Sequence, residues 1–108
     1  MNMPQVLKPN EEAGEKVDIN IFTEDLMDLV KRQVTKEMPE FVTVWWEDRE
    51  QTMIVDDNGH AKGLTYNNLA TKVYHNATRQ GRTGAPKDAE IPPIVGNALL
   101  LDIPKRQL

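Results

Sequence analysis

Two apolar stripes with helical spacing flank a stretch rich in β-branched and aromatic residues, and this arrangement constrains the fold more than any other feature. The first stripe predicts a helix that begins after a Thr23 N-cap and ends before Pro39. The second predicts a helix that begins after a Thr65 cap and ends at Gly81. Between the stripes, residue types typical of strands predict a pair of strands at 41–46 and 52–55.

These elements predict an α+β domain with the order α-β-β-α-β. Two amphipathic helices are expected to pack on one face of a small, mostly antiparallel sheet, with extended polar arms. Asn58-Gly59 predicts a tight turn, because these residues tolerate positive φ at both central positions. A nearly continuous apolar run at 97–103 predicts the final strand, which must be covered on both faces by this chain or by a partner.

The prediction divides the chain into five segments. Residues 1–18 are a polar arm, 19–81 a helix-hairpin-helix core, 82–96 a Gly/Pro-rich connector, 97–103 the final strand and 104–108 a basic tail. The arm contains too little apolar surface to offset the entropy of ordering it.

Charge is sorted along the sequence. Residues 1–57 contain 14 acidic and 6 basic side chains, whereas residues 58–108 contain 3 acidic and 7 basic ones, and the net charge is −4. Blocks of opposite sign on a small chain are typical of proteins whose charge steers contact with a partner or a second copy.

The composition argues against several classes of site. The sequence has no cysteine, so disulfides and thiolate metal sites are excluded. No run approaches the roughly 18 apolar residues of a membrane span, and the first residues carry no secretory signal, so a cytoplasmic location is expected. We predict neither a metal nor another cofactor: the acidic turn at 56–60 lacks the ligand spacing of a calcium loop, and His60 and His75 lie in different predicted elements.

No catalytic residues are predicted, and we expect the protein not to be an enzyme. The sequence lacks serine as well as cysteine and contains no nucleophile elbow. The carboxylates Glu47, Asp48 and Glu50 are close in sequence, but a mixed-charge segment of this kind is typical of a solvated turn.

Binding is predicted through aromatic and basic side chains. Adjacent tryptophans on a strand point to opposite faces, so one of them can anchor a partner while the other fills the core. Basic residues of the second half, with aromatic residues near them, form a second candidate surface. The predicted binding residues are Trp45, Trp46, Tyr74, His75, Arg79, Arg82, Lys105 and Arg106.

The sequence therefore predicts a small accessory protein that binds another protein or a second copy of itself. Small size and polar arms favour a viral setting, as a phage or virion assembly component in the host cytoplasm or the particle. One alternative is a phage-type inhibitor of a host enzyme, with the acidic half mimicking a nucleic-acid backbone. A second, less favoured because the chain is acidic overall, is nucleic-acid binding through the basic half.

Overall fold

An apolar strand, β5 (Ala98–Leu101), lies at the centre of the sheet with all four side chains buried. The computed structural model describes residues 4–17, 26–79 and 93–108. Strands β1 (Gln5–Leu7) and β2 (Glu15–Lys16) lie on one side of β5. The five-stranded sheet has the order β2-β1-β5-β4-β3, and every neighbouring pair is antiparallel.

Strands β3 (Pro39–Trp46) and β4 (Arg49–Asp56) form a long hairpin on the other side of β5. Its connection is only two residues, Glu47 and Asp48, with φ angles of 53° and 61°. Positive φ at both central residues characterises the type I′ turn, whose twist matches that of the flanking strands. The predicted strand pair is thus present, with a tighter turn than the charged run 47–50 implied.

The two helices lie on opposite faces of the sheet. Helix α1 (Leu26–Gln33) packs with Ile54, Leu99 and other residues of one apolar cluster. Helix α2 (Asn68–Arg79) packs with the alternate residues of the same strands. Neither described helix is long and apolar enough to span a membrane. We call the two surfaces of the sheet the α1 face and the α2 face.

The predicted fold class is therefore wrong in three respects. The order is β-β-α-β-β-α-β, the fold is mostly sheet, and the helices do not share a face. Residues 4–17, expected to belong to an extended arm, contribute β1 and β2. Because Val6 and Leu7 are buried on opposite faces, even this short strand adds to both apolar clusters. The numerical segment boundaries stay a prediction.

Helix α2 begins two residues later than predicted. The side-chain oxygen of Asn67 accepts a hydrogen bond of 2.9 Å from the Ala70 amide, as an N-cap does, whereas Thr65 precedes the cap. Helix α1 ends at Gln33 rather than near Pro39, and Met38 is exposed. The predicted Thr23 cap and the Gly81 stop lie outside the described residues.

The Asn58-Gly59 turn exists, but for a different reason than predicted. Among described residues other than glycine, positive φ occurs at Asn10, Glu47 and Asp48, and the described glycines with positive φ are Gly63 and Gly96. Instead, an added Cβ at Gly59 would lie 2.8 Å from Val95 Cγ2. Gly59 is therefore needed for close approach of the turn to residue 95.

The free edge of β3 is covered by side chains from both faces. Asn76 Nδ2 on α2 donates to the carbonyl oxygen of Trp45 at 2.6 Å. Lys105 Nζ, on the 3₁₀ helix Lys105–Gln107, donates to that of Phe41 at 3.3 Å. In a two-residue hairpin the carbonyls of alternate residues point away from the partner strand, so both contacts lie on the open side of β3. Such contacts, with the short edge strand β2, discourage pairing with other chains.

Candidate functional site

Two clefts open on the α2 face, one toward each end of the β3–β4 hairpin. The first, the acidic cleft, has a volume of about 180 Å³. The second, the ion-paired cleft, has a volume of about 460 Å³. The acidic cleft is lined by the polar residues Glu40, Asp56, Asp57, His60 and Tyr74 and the apolar residues Val42, Val55, Pro93, Ile94 and Val95. The ion-paired cleft is lined by Gln5, Lys16, Glu47, Arg49, Gln51, Leu100 and Asp102.

The hairpin register brings two carboxyl groups together in the acidic cleft. Glu40 pairs with Val55, and Asp57 follows Val55 by two residues, so both acids lie on the α2 face in diagonal positions. The Asp57 amide donates to the carbonyl of Met38 at 3.0 Å, which holds this end of the hairpin closed. Neither acid was among the predicted site residues.

The carboxyl groups of Glu40 and Asp57 are neighbours in the acidic cleft. A side-chain hydrogen bond with Asp57, then burial and the negative charge of Asp57, raise the pKa of Glu40, while the charge of Lys105 lowers it. An ionised carboxylate only accepts hydrogen bonds, so the protonated form of Glu40 can donate to Asp57 and the ionised form cannot. The empty cleft therefore disfavours the ionised form of Glu40.

The remaining walls of the acidic cleft are held by hydrogen bonds. His60 Nε2 lies 2.9 Å from the carbonyl oxygen of Pro93, which can only accept, so this nitrogen carries the proton. Thr71 Oγ1 accepts from the Ile94 amide at 2.8 Å and fixes that residue against α2. The aliphatic wall is thus anchored to a helix and to the 56–63 turn.

Asp56 also lines the acidic cleft, and its carboxylate is bound by the turn that follows it. Its carboxylate contacts Lys62 Nζ at 2.6 Å and accepts from the Asn58 amide at 2.9 Å. Burial alone would raise the pKa of Asp56, but hydrogen bonds from Lys62, Asn58 and Thr35 outweigh burial and lower it. The bond to Asp56 raises the pKa of Lys62. This ion pair stabilises the turn that carries Asp57 and His60.

Charges in the ion-paired cleft neutralise one another. Arg49 Nε lies 2.6 Å from Asp102 Oδ1, and the Asp102 side chain is 25% exposed. Leu100 is the apolar residue among those that line this cleft. Ligand pockets are lined predominantly by apolar side chains, so the larger volume of this cleft does not make it the better candidate.

Asn67 connects the elements around both clefts, and the sequence analysis missed its role. It is fully buried and donates through Nδ2 to the carbonyls of Leu7 at 2.9 Å and Gly96 at 2.8 Å. Its backbone amide donates to the carbonyl of Ile94 at 2.9 Å. The preference of asparagine for N-caps was the available signal, but Thr65 competed with it.

The structure distributes the predicted binding residues over both faces. Trp46 packs in the α2-face cluster with Lys72 Nζ 6.0 Å from its ring centroid, and the half-buried Trp45 lies on the opposite face. Tyr74 lines the acidic cleft, and its ring centroid is 5.8 Å from that of His75.

The described basic residues of the predicted set belong to two elements, the end of α2 and the 3₁₀ helix. Arg106 contacts Glu50 at 2.9 Å, and Lys105 contacts the edge of β3. Arg79 is the last residue of α2, and Arg82 lies outside the described residues. Among the described residues of the predicted set, Tyr74 alone lines the acidic cleft. The binding role of all eight residues stays a prediction.

Folding joins the acidic half of the chain to the basic half. Four ion pairs between described residues connect them: Arg49–Asp102, Lys62–Glu37, Lys62–Asp56 and Arg106–Glu50. The separation of charge along the sequence is therefore reduced in three dimensions. What remains in the acidic cleft is a local excess of negative charge.

Comparison with models of protein families, with curated protein sequences and with solved structures finds no match for this chain. Across residues 4–17, 26–79 and 93–108, no three His, Cys, Asp or Glu side chains are grouped so that they could hold a metal ion. The functional argument therefore depends on the geometry of the acidic cleft.

Proposed function

We propose that the protein is a non-enzymatic accessory protein that acts by binding another protein, and that the acidic cleft receives a side chain of this partner. The acidic cleft carries the proposal, because it combines an aliphatic wall with two carboxyl groups in one small opening. Its volume of about 180 Å³ is below the roughly 300–1,000 Å³ of small-molecule and cofactor pockets. A cleft of this size suits a single anchoring side chain, and interfaces concentrate their binding energy in such anchors.

The nucleic-acid alternative receives less support. Three basic side chains of the second half have partners within the molecule: Lys62 contacts Asp56 and Glu37, Lys105 contacts Phe41 and Arg106 contacts Glu50. Phosphate binding would have to displace these contacts. The viral assembly setting and the inhibition of a host enzyme stay predictions from the sequence.

Site-specific photo-crosslinking tests the proposed function. A benzophenone amino acid is placed at the exposed residue His60, which lines the cleft, and the full chain is irradiated in cells of its native host. The matched control carries the same group at Glu12, an exposed position on the β1–β2 connection. We expect a discrete protein adduct from position 60 that is absent from position 12.

The mass of the adduct identifies the type of partner. An adduct of twice the chain mass indicates a second copy, and any other discrete mass indicates a different protein, which mass spectrometry then names. Equal, diffuse labelling from both positions would contradict the proposal, as would transfer of the label to small molecules alone.

A further inference from the structure

The chemistry of the acidic cleft specifies which side chain it fits. We propose that the acidic cleft binds a lysine from a basic segment of the partner protein, with the lysine ammonium contacting the carboxylates of Glu40 and Asp57. This inference rests on the proposed function. It adds the chemical class of the ligand and the atoms that recognise it.

The walls of the cleft match the two parts of a lysine side chain. Val42, Val55 and Ile94 provide an aliphatic surface for the methylene stem. The adjacent carboxyl groups of Glu40 and Asp57 provide negative charge for the head. Long cationic side chains commonly bury their stems along apolar surface while the head stays near water. Other anchors fit less well, because an apolar side chain would cover the acids and an acidic one would be repelled.

Lysine fits this pair of acids better than arginine. A guanidinium is a planar fork that matches the two oxygens of one carboxylate. An ammonium is a compact charge whose three donors point in different directions, so it can contact two neighbouring carboxyl groups at once. The carboxyl groups of Glu40 and Asp57 line the same cleft, so an ammonium between them can donate to both.

Lysine binding should depend on pH. An ammonium favours the ionised form of Glu40, whereas the empty cleft raises the pKa of this group, so affinity should rise with pH as Glu40 loses its proton. The other charged or titratable groups near the pair are Asp56 and His60 on the turn, Tyr74 on α2 and Lys105 on the 3₁₀ helix. The segment 93–95 contributes no charged side chain.

The positive charge of Lys105 offers a way to test the charge preference of the acidic cleft. Its charge lowers the pKa of Glu40, so its ammonium acts on the same carboxyl group, while its hydrogen bond is to the carbonyl of Phe41. A ligand ammonium in the cleft would be repelled by Lys105. Removing this charge should therefore strengthen lysine binding, whereas removing Arg106, which is paired with Glu50, should not.

The test uses defined peptides and the full-length, isotope-labelled chain. The probe is the acetylated and amidated peptide Lys-Gly-Lys-Gly-Lys, titrated at low ionic strength while backbone amide NMR signals around the cleft are followed. We expect saturable shifts at residues 57–60 and 94–95. Acetylating the three lysine side chains should weaken binding about tenfold or more, since the stems remain but the charges are lost.

The variants locate the binding site. Glu40→Gln and Asp57→Asn should each weaken peptide binding about fivefold, and Glu12→Gln, an equal charge change at an exposed position, should leave it unchanged. Lys105→Gln should tighten binding about twofold, whereas Arg106→Gln should have no effect. Affinity should increase between about pH 4 and pH 7 in the wild type, and this increase should be reduced in Glu40→Gln.

Several results would overturn the inference. Binding that is indifferent to Glu40→Gln and Asp57→Asn, in proteins whose spectra show the native fold, would place the peptide elsewhere. Tighter binding of the corresponding peptide Arg-Gly-Arg-Gly-Arg would reject lysine. Tighter binding of spermidine, which has the same charge as the peptide, would indicate a site for free polyamines. A specific adduct from position 60, combined with any of these results, would leave the proposed function standing and reject the inference alone.

Discussion

The two clefts on the α2 face contain similar numbers of charged groups but use them differently. In the ion-paired cleft, Arg49 and Asp102 are 2.6 Å apart and neutralise each other. In the acidic cleft, Glu40 and Asp57 have the same charge, and the proximity of Asp57 raises the pKa of Glu40. The first arrangement pairs opposite charges within the chain, whereas a bound cation would favour the ionised form of the second.

The comparison shows that size is a poor guide to function on this molecule. The larger cleft contains the ion pair between Arg49 and Asp102, and the smaller one holds neighbouring acids beside an aliphatic wall. Groups that are held in an unfavourable arrangement tend to occur where a ligand relieves it. The following predictions test this difference, from the largest expected effect to the smallest.

Asn67→Ala should destabilise the support that the two clefts share. The substitution removes the α2 cap and leaves the buried carbonyls of Leu7 and Gly96 without their donor. We expect a loss of about 3–5 kcal/mol in the free energy of unfolding, measured by urea denaturation. The control is Asn68→Ala at the adjacent exposed position, which should change the free energy of unfolding little. A cost below about 1 kcal/mol for Asn67→Ala would show that the clefts do not depend on this residue.

Asp56→Asn should weaken the turn beneath the acidic cleft in a pH-dependent manner. Because the folded-state pKa of Asp56 is lowered, its ionised form stabilises the fold above its ordinary pKa, and this contribution is lost as pH falls through the folded-state value. The variant should be less stable by about 2 kcal/mol at neutral pH and should approach the wild type in strong acid. Thermal unfolding at several pH values measures this, with Asp28→Asn as an exposed control. A difference that did not change with pH would assign the effect to packing.

Asp102→Asn should destabilise the ion-paired cleft modestly. It removes the charge opposite Arg49, whose side chain is 55% exposed, so solvent screening limits the cost to about 1 kcal/mol or less. Added salt should reduce the difference from the wild type. Urea denaturation at two salt concentrations checks this prediction. Stabilisation by Asp102→Asn would contradict the description of this cleft as one whose charges pair within the chain.

Glu40→Gln should have the opposite sign, although it is the same carboxyl-to-amide change. Because the folded-state pKa of Glu40 is raised, ionising it costs stability as pH rises through that value, and the amide avoids this cost. We expect a gain of about 0.5 kcal/mol or less at neutral pH, since both acids are exposed and screened. A rise in melting temperature together with weaker peptide binding would mark Glu40 as a residue kept for function. Destabilisation by Glu40→Gln would show instead that Glu40, like Asp102, contributes to the stability of the fold.

Sequence patterns correctly predicted the strands whose own residue types favour an extended conformation. The β-branched and aromatic run before Trp46 and the apolar run of β5 gave strands close to those observed. Strand β1 was missed because only Val6 and Leu7 are apolar between two prolines, and its stability comes from pairing with β5 far along the chain. Because β5 is apolar on both faces, both faces of the sheet need cover, which favours one helix on each face. The prediction that the helices share a face did not take this observation into account.

The acidic cleft was less accessible to sequence reasoning. Glu40 alternates with Val42 and Val44 on the α2 face, so an acid at the end of an apolar row was visible. Its partner Asp57 lies beyond a two-residue connection whose length fixes the register, and the sequence predicted a longer turn there. Without that register, nothing places Glu40 beside Asp57. Of the predicted aromatic residues, only Tyr74 lines this cleft.

The protection of the β3 edge has a consequence for how the protein is made. Lys105 is 64 residues beyond Phe41, the residue whose carbonyl it covers. At ribosomal rates of roughly 5–20 residues per second, Lys105 is synthesised several seconds after the β3–β4 hairpin. A growing polypeptide therefore presents the edge of β3 to other chains before Lys105 can cover it, and an uncovered strand edge can pair with another chain.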